Sequence, residues 1–158
     1  MTKPVNFTLT EGDLVLKGSY SAPANGHDRV TITEIDLNGK ALTHHELHFG
    51  PHHDEAMAQA LVGLIQAGGA GGVVGTQSGN SLSLTEGSLT FAATISTEGH
   101  GAHQHEVVTL TSLTVGSVTD TFHHGIELVG QPAGAFVTEV SNHPPSSGGS
   151  ASGSGNGN

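Results

Sequence analysis

Cysteine and tryptophan are absent from this 158-residue chain, which carries one tyrosine and four Lys+Arg residues. Without thiols there is neither a disulfide staple nor a thiolate metal site. Four cations against fourteen Asp+Glu leave a formal charge of -10. Such a chain cannot neutralise a run of phosphates, so neither nucleic acid nor an anionic membrane is an expected partner. No apolar run approaches a membrane span. Met1–Asn6 lacks the apolar stretch of a signal peptide, so the expected location is extracellular by a route that reads no such signal, or within a virion. The shortage of aromatics removes any obvious sugar-stacking platform. Catalytic patterns are missing as well: there is no GxSxG elbow, no HExxH and no GxxxxGK[ST], and an enzyme is not expected. The run Gly68-Gly69-Ala70-Gly71-Gly72-Val73-Val74-Gly75 follows a helical pattern rather than a strand. It therefore reads as a flexible or tightly turning connection, not a dinucleotide loop.

What the chain does contain is written twice. Residues 7–50 and 82–130 carry matching landmarks in the same order. Leu9-Thr10-Glu11-Gly12-Asp13-Leu14 answers Leu84-Thr85-Glu86-Gly87-Ser88-Leu89, and His44-His45-Glu46-Leu47 answers His123-His124-Gly125-Ile126. Apolar residues alternate in short runs, the period of strands with one face in a core. Val30 and Ile32 share a parity that Ile35 and Leu37 break; Val108 and Leu110 share one that Leu113 and Val115 break. A slip at the same place in both copies predicts a bulge, where one extra residue returns the apolar set to the core. Each copy is expected to hold four antiparallel strands, the fourth spanning about Leu42–Phe49 in one and Thr121–Val129 in the other.

The expected fold is mainly β: a pseudo-twofold, duplicated antiparallel β-sandwich or flattened barrel with one packed α-helix. Residues 1–145 form a single domain of two similar halves. The linking helix, residues 51–67, starts near Pro51 and carries a Met57, Ala60, Leu61, Leu64, Ile65 stripe against the sheets. Ala135–Val140 reads as a final strand, and the Gly/Ser/Asn-rich residues 146–158 as a flexible tail.

Histidine is the one reactive residue type in excess, with twelve copies. On a regular strand His44 and His48 share a face, as do His103 and His105. Together with His123 and His124 they are the candidate metal ligands, with Glu46, Glu106, Asp28 or Asp54 as oxygen partners. Imidazoles in this pattern suit Zn, Ni or Cu. Adjacent pairs such as His123-His124 place one ring on each face of a strand, so both reach one site only through a bend. Use at an interface, or as ordinary surface residues, explains the same clusters.

The stretch from Gly12-Asp13-Leu14 to Leu37, with Tyr20 and His27, is similar to a strand-loop-strand portion of secreted haem-scavenging proteins. Those proteins are likewise acidic, glycine-rich and cysteine-free. The similarity covers about a fifth of the chain, and the doubled layout departs from that family. It implies haem as a cofactor, with Tyr20 and His27 as its first candidate ligands.

The composition points to a non-enzymatic structural protein that self-assembles into a filament, tube, particle coat or extracellular layer, with itself as partner and no required cofactor. Short Thr/Ser-rich strands, few charges and a thin core in each half favour burial between subunits. Edge strands near Phe7 or Phe136 would pair across copies. The alternative is a histidine-rich carrier of divalent metal or haem.

Overall fold

A computed structural model describes residues 4–24, 26–43, 46–69, 71–99 and 101–144, with only the backbone of His103. The protein is mainly β, with two five-stranded antiparallel sheets and two helices. The first sheet contains β1 (Val5–Glu11), β2 (Leu14–Ser21), β3 (Arg29–Leu37), β4 (Lys40–Thr43) and β5 (Leu47–Phe49). Its order is β1-β2-β3-β4, and β5 joins the same edge of β3 beyond β4. Helix α1 (Glu55–Ala67) follows. The second sheet contains β6 (Val73–Ser78), β7 (Ser81–Glu86), β8 (Leu89–Glu98), β9 (His105–Val115) and β10 (Val118–Val129) in the order β10-β9-β8-β7-β6. Helix α2 (Gln131–Asn142) closes the described chain.

The predicted phase slip is present in both sheets. On β3, Thr33 is the extra residue between the Lys17–Glu34 and Gly18–Ile32 pairs. On β9, Thr111 is the extra residue between Ala92–Ser112 and Ala93–Leu110. Each bulge threonine donates its hydroxyl across the gap: Thr33 Oγ1 to Lys17 O and Thr111 Oγ1 to Ala92 O, both at 3.1 Å. Val30, Ile32, Ile35 and Leu37 are all buried as a result, and so are Val108, Leu110, Leu113 and Val115.

The same parity carries a glutamate inside at each first hairpin. Phe7, Leu9 and Glu11 face inward along β1, and Leu82, Leu84 and Glu86 along β7. Both glutamates are fully buried, and each caps the other hairpin's turn. Glu11 Oε1 accepts from Ser88 N at 2.6 Å, and Glu86 Oε1 accepts from Asp13 N at 2.8 Å. A buried carboxyl needs hydrogen-bond partners, and here the backbone amides that it accepts from belong to the other sheet's hairpin. One continuous apolar core draws on both sheets and both helices.

Several expectations need correction. The sheets do not close into a flattened barrel. There are two packed helices rather than one: Ala135–Val140 is not a strand but part of α2. Ala133, Phe136 and Val140 are its buried apolar residues, at the three- and four-residue spacing of a helix face. Phe136, fully buried there, cannot form an intersubunit strand edge. Val73–Ser78 is a strand, β6, rather than a turning connection. Its Gly75 is required by packing, since a Cβ there would stand 2.4 Å from Val140 Cα on α2. The fourth strand of the first sheet divides into β4 and β5. Helix α1 starts at Glu55, not Pro51, because Asp54 is its N-cap and accepts from Met57 N at 3.1 Å. Gly68, at positive φ, ends it by donating to Leu64 O. Residues 146–158 lie outside the described residues.

Candidate functional site

A break in β10 builds the main groove. Between Thr121 and Ile126 the register with β9 shifts, and Phe122–Gly125 leave the ladder. Gly125 has φ 68, and a Cβ there would stand 2.7 Å from Thr109 Cγ2, so both conformation and space demand glycine. The break is the bend that an adjacent histidine pair needs: the His123 and His124 rings meet edge to face with centroids 4.7 Å apart. The facing wall is β5 and the turn after it, where Gly50 and His53 exchange backbone hydrogen bonds of 2.9 and 3.1 Å. That turn stacks the His53 ring on Phe49, centroids 6.0 Å apart. Together these walls enclose a groove of about 250 Å³ lined by His48, His53, Asp120, His123 and His124 among others. A second hollow of about 180 Å³ adjoins it through His48 and His53 and adds Arg29 and His52.

Asp120 supplies the groove's buried charge. Burial pushes its carboxyl up to about 6, helped by a hydrogen bond with Asp54 and that group's charge; His53 opposes the shift. His53 Nε2 stands 3.8 Å from Asp120 Oδ1. His48 is held from both nitrogens, Nδ1 to Thr31 Oγ1 and Nε2 to Glu46 Oε1, each at 3.2 Å. The arrangement offers exposed imidazoles around one buried carboxyl, a donor set for a borderline divalent ion.

Of the sequence-predicted ligands, the structure brings His48, His123 and His124 to this groove. His44, like its neighbour His45, lies outside the described residues. His103 sits in a 3-10 turn, Gly101–His103, and its side chain is likewise not described. His105 opens β9 opposite Glu98 and is exposed. Tyr20 packs its ring 6.3 Å from Phe7. His27 Nδ1 bonds Glu55 Oε2 at 2.5 Å, and neither Tyr20 nor His27 lines the groove. Sequence reasoning missed His53 and Asp120. A signal existed for His53, which directly precedes the Asp54 helix cap; Asp120 carried none.

Among the described residues, one set of three potential ligands has its donor atoms within 4.8 Å of one another, and it lies elsewhere: Asp13, Glu139 and His143. Glu139 and His143 are four residues apart on the α2 face, a spacing hidden while that segment reads as a strand. Glu86 stands behind them. Burial pushes its carboxyl up to about 8, with a hydrogen bond to Glu139 adding to the rise. Burial alone would raise Glu139 too, but hydrogen bonds with Asp13, Glu86 and Asn38 outweigh it and hold that carboxyl low. Asp13 is raised, first by its hydrogen bond with Glu139 and then by burial.

No protein family, curated protein or solved structure shows significant similarity to this chain.

Proposed function

We propose that the protein is a non-enzymatic binder of divalent metal, taking Zn²⁺, Ni²⁺ or Cu²⁺ in the groove between the β10 break and the turn before α1. The observation that carries this reading is that His48, His53, His123 and His124 line one groove with Asp120, His53 Nε2 standing 3.8 Å from its carboxyl. The side chains of His48 and His53 are 65% and 64% exposed, so an entering ion reaches both rings from solvent and competes with the Thr31 and Glu46 bonds of His48. The formal charge of -10 adds a field that attracts cations. A metal held by surface imidazoles is exchangeable, which suits carriage or buffering better than catalysis.

Self-assembly is the second reading, supported by the unclosed sheets, which end in outer strands such as β1 and β10. We read the two meanders as an internal duplication packed as a β-sandwich about a pseudo-twofold axis. The paired bulge bonds and the reciprocal glutamate caps support that reading.

Calorimetric titration with Ni²⁺, followed by size-exclusion chromatography and negative-stain microscopy with and without chelator, separates the two. A monomer that takes up Ni²⁺, and loses at least tenfold in affinity with His53→Ala or His123→Ala, is the expected result. Large regular particles that survive chelation, with no saturable Ni²⁺ uptake, would replace carriage with assembly.

A further inference from the structure

We propose that Asp13, Glu139 and His143, where the end of α2 meets the first hairpin, form a second and separate cation site. It takes a single ion of the Mn²⁺ or Zn²⁺ class and does not depend on the histidine groove. His143 Nε2 stands 3.6 Å from Asp13 Oδ2 and 3.7 Å from Glu139 Oε1. Ligands bound at ~2.0–2.2 Å sit roughly 3.0–3.4 Å apart around one ion, so the two edges at His143 need to close by only a few tenths of an ångström, and all three donor atoms lie within 4.8 Å of one another. Two carboxylates with one imidazole form a harder donor set than the groove's, one that suits Mn²⁺ as well as Zn²⁺.

Two further observations support a cation site here. Glu139, only 3% exposed, has an oxygen, Oε2, that receives no N–H or hydroxyl donor; fully buried Glu86 has another. Buried carboxyl oxygens without a donor are atoms that a cation at this place would satisfy. The site is also built and accessible. Asn38 Nδ2 donates to Glu139 Oε1 at 3.0 Å, and Gly75 N donates to His143 O at 2.6 Å, fixing the helix end. The side chains of Asp13 and His143 are 38% and 37% exposed, leaving a path from solvent.

The corresponding place in the other half bears no such set. Aligning the helices on buried Ala58 and Leu61 with Ala133 and Phe136 puts Leu64 at Glu139 and Gly68 at His143. Gly68 and His143 are the C-caps of their helices, and Ser88 stands at Asp13 in the reciprocal turn. The fold is therefore made without these three ligands at one end, and their presence at the other is not a packing requirement.

The test is an electron paramagnetic resonance titration of the full chain with Mn²⁺ at pH 7.5, on the parent protein and on Glu139→Gln and His143→Ala. His143 is partly exposed, so the second variant keeps the fold, which a thermal melt verifies. One saturable Mn²⁺ per parent chain, weakened about tenfold or more in both variants, is the expected outcome. No saturable uptake by the parent, or variants that bind as tightly as the parent, would overturn the proposal. Either failure leaves the groove reading intact, because that rests on Ni²⁺ and on different residues.

Discussion

The first and second meanders are alike where they hold the fold and unlike where they gather chemistry. Both turn at Glu-Gly-X-Leu, both bulge at a threonine that donates to the neighbouring strand, and both insert a glutamate into the opposite turn. The departures are local. One outer strand divides into β4 and β5, whereas β10 runs through its break and keeps a histidine pair there. Helix α1 is capped by Asp54, whereas α2 has Gly130 as its N-cap, Pro132 in its first turn and no side-chain cap. When the two helices are aligned on their buried faces, Glu139 and His143 fall opposite Leu64 and Gly68 of α1. Backbone satisfaction constrains the shared positions, because a bulge or a buried turn amide must be answered wherever it occurs. The donor clusters arise instead at the groove and the helix end, where the two meanders differ.

The largest test of that contrast is electrostatic. Glu86 has Glu139 beside it, whereas the matching place in α1 holds Leu64. A folded-state value of about 8, against the ordinary 4.5, means the native protein holds a proton that the unfolded chain releases. This stabilisation is complete below the unfolded value and is lost as pH rises through about 8. Asp13 and Glu139 face the same carboxyl, and Glu139 shifts the other way, so the net effect is smaller than the shift of Glu86 alone. Metal-free protein should melt roughly 5 °C lower at pH 9 than at pH 6, and Glu86→Gln should flatten that difference. A variant that retained the full slope would show that the carboxyl pair does not share a proton.

A smaller effect tests the likeness itself. Thr33→Val and Thr111→Val each remove one bulge hydrogen bond while keeping side-chain volume. Each should cost about 0.5–1.5 kcal/mol in a urea melt. The two costs should be similar and should add in the double variant, because the bulges lie in different sheets. A large cost at one site and none at the other would mean that the two bulges are only superficially alike.

Much of the β-framework could be read from the sequence because period two leaves a visible mark. The switch of parity at Thr33 and at Thr111 is such a mark, and the structure places a bulge at each. Helix α2 left a weaker trace. Ala135, Val137 and Glu139 alternate like a strand, Gly134 interrupts the helical pattern, and phenylalanine, valine and threonine favour sheets. Only the fit of Ala133, Phe136 and Val140 to one face reveals the helix. Strand β6 was hidden for another reason: Gly75 is its one buried residue, so there was no apolar face to detect. The buried glutamates had a signal that went unused, since alternation through Leu9 and Leu84 already points Glu11 and Glu86 inward. The groove was half visible. His48, His123 and His124 stood out by type, whereas Asp120 joins them only through the pairing of β10 with β9.

The most direct measurement takes the chain with Glu139→Leu and His143→Gly, which gives α2 the residues that α1 has at the matching places. Its thermal melt and its Mn²⁺ uptake are compared with those of the parent at pH 7.5. The account predicts a folded protein melting within a few degrees of the parent and binding no Mn²⁺. A chain that fails to fold, or that still takes up Mn²⁺ as tightly as the parent, would contradict it.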